Sequence, residues 1–146
     1  TPRTPVGRLH VDARVLNRYT NYLNASSALG GDSRPRGYPT GAFIGKDVVA
    51  ATLEYRSRAA QILGCQLGGA VFFDAGDAAD GFDKMLIKQS AGFGVRVLFP
   101  QLDRVVMRAD WGFPLTRGVV PTGGFPGDIV ITFRQAFPMP TLPATN

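Results

Sequence analysis

The chain has 146 residues, of which 45% are hydrophobic and 18% charged, with 18 Gly and 11 Pro; that length fits one domain, and the apolar fraction excludes a disordered polar chain. No stretch approaches the about eighteen consecutive apolar residues of a transmembrane helix, but a mean hydropathy of +0.02 leaves open a transmembrane β-barrel, whose strands alternate lipid-facing and lumen-facing residues. The net charge of +5 comes from 13 Arg and 3 Lys spread along the chain among 11 acids, which argues against the clustered cationic face of a nucleic-acid binder.

Period-two alternation recurs along the chain and helical periodicity is almost absent. Residues 8–16 set Leu9, Val11, Ala13 and Val15 against Arg8, His10, Asp12 and Arg14. The stretch 20–46 contains Gly30, Gly31, Gly37, Gly41 and Gly45 with a basic centre at Arg34 and Arg36, and reads as one long loop. Residues 47–56 then place Val49, Ala51, Leu53 and Tyr55 opposite Thr52, Glu54 and Arg56. After a connection at 57–65, residues 66–74 face Leu67, Val71 and Phe73 away from Gln66 and Asp74, with Phe72 breaking the polarity. A Gly/Asp-rich connection at 75–88 leads to 90–99, where Ala91, Phe93, Val95, Val97 and Phe99 oppose Ser90, Gly92, Gly94 and Arg96. Residues 104–113 set Val105, Met107, Ala109, Trp111 and Phe113 against Arg104, Arg108, Asp110 and Gly112. After a connection at 114–127, residues 128–137 close the series with Ile129, Ile131, Phe133 and Phe137 against Asp128, Thr132 and Arg134. The Pro-rich residues 138–146 read as an extended tail.

Six strands of about nine to eleven residues match the span of a tilted strand across a bilayer. One face is aliphatic and aromatic; the other is Arg with Asp, Glu and Gly, which suits a wet enclosed lumen where guanidinium forks hold acids on neighbouring strands. Tyr19, Tyr55, Phe73, Phe99, Trp111, Phe113 and Phe137 are expected near strand ends, as interfacial aromatic girdles require. The fold expected is therefore all-β and antiparallel, a transmembrane β-barrel in preference to a soluble β-sandwich binding module.

Three elements in order, Leu29-Gly-Gly-Asp-Ser-Arg-Pro-Arg-Gly-Tyr38, Leu53-Glu-Tyr-Arg56 and Phe72-Phe-Asp-Ala-Gly76, resemble the carboxyl-terminal part of the BamA-like outer-membrane assembly and translocation superfamily, the bacterial surface antigen family. The resemblance covers about residue 8 to Phe137. It implies a sixteen-stranded barrel in the bacterial outer membrane, of which these are the last six strands, so that the chain reads as a piece of a larger barrel. The same resemblance implies that the long loop folds into the lumen: Arg36 is the loop arginine, Gly37 gives the turn, Tyr38 anchors it, Glu54 is the wall acid, and Phe72, Asp74 and Gly76 form the Phe-x-Asp-x-Gly element. The last strand, through Ile131, Phe133 and Phe137, resembles the terminal assembly signal of outer-membrane barrels, although Gln135 interrupts its apolar face and nine residues follow Phe137.

The implied function is insertion of outer-membrane proteins or translocation of polypeptides across the outer membrane. Its implied partners are outer-membrane lipids, a client polypeptide, the rest of the barrel and periplasmic POTRA repeats, with no nucleic acid. An alternative within the resemblance is a barrel that anchors a fused secreted enzyme such as a patatin-like lipase. No enzymatic activity is expected of the chain itself. Its serines lie in no Gly-x-Ser-x-Gly elbow, Cys65 and His10 are each alone and make no zinc set, and the Gly30–Gly45 stretch lacks the Gly-Lys-Ser/Thr ending of a phosphate loop. No cofactor or metal is expected.

Overall fold

The computed structural model describes residues 7–19, 22–101, 105–116 and 127–135. In chain order its strands are β1 (Gly7–Leu16), β2 (Ser27–Leu29), β3 (Phe43–Gly45), β4 (Asp47–Ser57), β5 (Ala60–Ile62), β6 (Cys65–Ala79), β7 (Lys88–Phe99), β8 (Val105–Pro114) and β9 (Asp128–Gln135). The described residues contain no α-helix, only short 3-10 turns at Gly31–Ser33 and Phe82–Lys84.

All six strands read from the alternation are present, paired antiparallel in the order β1-β4-β6-β7-β8-β9. Three connections are more ordered than expected. The β6 strand runs on to Ala79, so that Phe73 lies mid-strand rather than at an end. Pairing on both sides extends it, Asp47 to Ala79 and Gly76 to Lys88, and overrides the turn-like composition of Ala75–Ala79. The stretch 20–46 carries the β2–β3 hairpin and a 3-10 turn, and the 57–65 connection carries β5, which pairs with the start of β6. Strands of three residues are too short to show a period in sequence.

The sheet has inverted polarity. Val11, Val15, Leu53, Val71, Phe73, Phe93, Val95, Ile129, Ile131 and Phe133 are all exposed. The opposite face buries Thr52, Glu54, Asp74, Ser90 and Asp110. What buries them is the inserted loop between β1 and β4, which packs Leu29, Tyr38 and Phe43 with Val48 and Ala78 in an apolar cluster on that side. The Tyr38 and Phe43 rings meet edge to face at 5.0 Å. On the exposed face Phe93, Trp111 and Phe113 gather, with centroids 5.0 to 6.1 Å apart.

Connections of unequal length fall at opposite ends of the sheet. Residues 17–46, 80–87 and 115–127 leave from one end, and the 58–64 and 100–104 connections from the other. Among the described residues β1 pairs only with β4 and β9 only with β8, so this sheet is open and does not close into a barrel. Phe137 and the 138–146 tail lie outside the described residues, as does Arg104.

Candidate functional site

The site is built where the loop meets the wall. Cross-strand register sets Asp12, Thr52, Asp74 and Ser90 opposite one another across β1, β4, β6 and β7. Two residues further along each strand toward the short-connection end, Glu54 opposes Phe72 and Phe72 opposes Gly92, which in turn opposes Gly112. Side chains at alternate positions share a face, so Glu54, Phe72, Asp74 and Asp110 project to the side covered by the loop.

Arg36 enters this group from the loop and is 1% exposed. Its guanidinium grips Asp74 with two bonds, Nε to Oδ2 at 2.7 Å and Nη2 to Oδ1 at 3.0 Å, and its backbone N–H donates to Asp74 Oδ2 at 3.1 Å. Nη1 donates to Glu54 Oε2 at 2.7 Å and to Asp110 Oδ2 at 2.9 Å. The guanidinium carbon stands 3.4 Å from the centre of the Phe72 ring, so one face of the cation is met by aromatic density and its edges by carboxylates. This explains why an aromatic interrupts the polar face: Phe72 is the platform on which Arg36 lies.

Burial works against the Arg36 charge, but hydrogen bonds and the Coulombic pull of Asp74, with the bonds to Glu54 and Asp110, outweigh it and raise its pKa above the ordinary arginine value. Further arginines surround the acids. Arg56 Nε donates to Glu54 at 2.6 Å, Arg96 reaches Glu54 at 3.3 Å and also Asp110, and Arg108 Nε donates to Asp110 at 2.7 Å. Each of these three buried carboxylates thus has at least one guanidinium partner, and Arg36, Arg96 and Arg108 each bond more than one carboxylate oxygen, the condition under which charges tolerate removal from water.

Close backbone approach seats the loop. Gly37 has φ 92, and a Cβ there would stand 2.6 Å from the Gly112 carbonyl carbon. A Cβ on Gly112 would stand 2.5 Å from the Gly37 nitrogen. Both positions need glycine because the loop rests directly on the β8 backbone. Tyr38 follows, fully buried, with its hydroxyl donating to the Gln89 carbonyl at 2.8 Å. Outward from this point the turn at Gly31–Ser33 and the residue after it reach across the polar face from β1 to β9. Arg34 pairs with Asp12 on β1, while Asp32 meets Arg108 of β8 at 3.4 Å and Arg134 of β9 at 3.1 Å.

The residues expected from sequence are therefore brought together in large part. Arg36, Gly37, Tyr38, Glu54, Phe72 and Asp74 form one contact group. Gly76 shares the buried face but sits further along β6, where a Cβ would press on β4 at Val49 O, 2.9 Å away. Ile131 and Phe133 lie on the exposed face of β9, away from the cluster. Sequence reading did not single out Asp110, Arg96 or Arg108; Asp110 was visible as an acid on the polar face, but only the β7–β8 register reveals that it reaches Arg36. Among the described residues no group of His, Cys, Asp and Glu is arranged to hold a metal ion; the three carboxylates here are directed at guanidinium groups. The arrangement ties the loop to the sheet by charge, from Arg36 to Asp74, Glu54 and Asp110.

Comparison with protein-family models, curated proteins and solved structures finds no match to this chain.

Proposed function

We propose that this chain is the carboxyl-terminal wall of an outer-membrane β-barrel of the BamA-like superfamily, acting in insertion of outer-membrane proteins or in translocation of polypeptides. The observation that carries the reading is the inverted polarity of the sheet. A domain folded in water buries its apolar face and exposes its polar one; here Val71, Phe93, Ile131 and Phe133 face outward and Glu54, Asp74 and Asp110 face inward. Lipid is the solvent such an exterior fits. The unequal connections support the same reading, because outer-membrane barrels have short turns on one side and long loops on the other. So do strand lengths of 10 to 12 residues in β1, β4, β7 and β8.

In this proposal Arg36 pins the inserted loop to the wall, the loop fills part of the lumen, and the held strand arrangement is the template past which a client strand or chain moves. The protein makes and breaks hydrogen bonds and ion pairs with its client rather than covalent bonds.

Fractionation of cells producing the intact protein tests the membrane step. The expected outcome is an outer-membrane protein that resists carbonate extraction and migrates differently before and after boiling. A folded monomer soluble without detergent would overturn the reading. Reconstitution in liposomes tests the activity: the intact protein is expected to speed the acquisition of protease protection by an unfolded barrel client, and an unchanged rate would remove the assembly role.

A further inference from the structure

We propose that the cleft between the outer turn of the inserted loop and the sheet binds a small soluble oxyanion carrying more than one charge, of the phosphate or pyrophosphate kind. The cleft has a volume of about 250 Å³, space on the order of eight water molecules in the liquid and smaller than a typical drug-sized site. Four arginines line it from separate elements: Arg14 from β1, Arg34 from the loop, Arg108 from β8 and Arg134 from β9. Against these stand Asp12 and Asp32, so the lining carries two more positive than negative charges.

The pairing pattern leaves donors free. Asp12 is taken by Arg34, and Asp32 is shared between Arg108 and Arg134; Arg108 is also held by Asp110, so the free donors are those of Arg14, Arg34 and Arg134. Each arginine offers five N–H donors, and the bond of Arg134 to Asp32 uses one of its nitrogens. Arg14 has no acidic partner among the described residues and its side chain is exposed. Planar guanidinium forks match the oxygens of a phosphate group better than a point charge does. The floor includes buried Leu29 and Ala50, apolar walls that strengthen the field felt by an ion above them.

The cleft lies on the polar face of the sheet, opposite the exposed apolar side chains, so its ligand arrives from water and is not a lipid headgroup. The charges around the cleft do not depend on the outer-membrane reading; only the choice of a soluble anion over a lipid headgroup rests on it.

Calorimetric titration of inorganic pyrophosphate into the folded intact protein, with ionic strength held constant by sodium chloride, tests the site. Saturable binding of one pyrophosphate per chain is expected, weakened at least tenfold by Arg14→Glu and by Arg134→Gln and strengthened by Asp12→Asn, which frees Arg34. Both arginine side chains are exposed and lie outside the buried cluster, so circular dichroism and the unfolding midpoint should be unchanged in these variants. Absence of saturable heat from the parent protein, or the same affinity in Arg14→Glu and Arg134→Gln as in the parent, would overturn the proposal.

Discussion

Arg36 is satisfied by three carboxylates and an aromatic face, and its removal leaves Glu54, Asp74 and Asp110 buried with one cation fewer between them. Breaking a buried ion pair by deleting one partner costs about 3–5 kcal/mol. Arg36→Ala is expected to lose that much stability, read as a lower urea midpoint of the folded protein, and Arg36→Lys most of it, because an ammonium cannot reproduce the two-pronged grip on Asp74. The acids should rank differently. Asp74→Asn is expected to cost more than Asp110→Asn, since Asp74 alone receives both the paired guanidinium bonds and the Arg36 backbone N–H. Loss of Asp110 still leaves Arg96 with Glu54 and Arg108 with Asp32. Equal losses in the two variants would contradict this division. Arg36, Glu54 and Asp74 were legible in the sequence through motif order and face alternation. Asp110 was not, because nothing local in β8 specifies which acid across two strand pairings will meet a loop arginine 74 positions earlier.

At the scale of elements, the loop and β8 touch backbone to backbone at Gly37 and Gly112. Gly112→Ala is expected to lift the loop: Tyr38 should become accessible to quenchers and the unfolding midpoint should fall, since overpacking typically costs about 1–3 kcal/mol. Tyr38→Phe probes the same seat more gently, removing one hydrogen bond to Gln89 for about 1 kcal/mol. The alternation placed the six long strands within a few residues of their observed bounds, because half of each strand is apolar and half polar. It missed the continuation of β6 through Ala75–Ala79, where small residues and aspartates look like a turn and only pairing with β4 and β7 makes a strand. It also read 20–46 as structureless, although β2 and β3 pair there.

For the molecule as a whole, which face is outside distinguishes a sheet in lipid from a sheet in water. Val71 sits mid-sheet and is 55% exposed. Arg at the midplane of a bilayer-facing strand costs about 2–4 kcal/mol and falls to near zero toward the interfaces, whereas an exposed site in water tolerates it within about 0.5 kcal/mol. Val71→Arg is therefore expected to reduce folding yield in liposomes sharply, measured as the heat-modifiable fraction, with Phe133→Arg, nearer the end of β9, reducing it less. Similar yields for both variants and the parent would favour a face bathed in water. The two faces themselves were legible from residue order, and the insertion of the loop from its motif; its full set of anchors was not, because Asp110, Gln89 and Gly112 are scattered over the chain. That scatter has a consequence for assembly. Arg36 precedes Glu54 by 18 positions, Asp74 by 38 and Asp110 by 74, so its partners come from three different strands, β4, β6 and β8. A slip of one residue in β8 turns Asp110 away from the cluster, and a slip of two brings Arg108 or Gly112 to the same place, a second cation or no charge at all. The guanidinium thus serves as a proofreader of strand register, fully satisfied only by a sheet in which every hairpin up to β8 has been laid down in step.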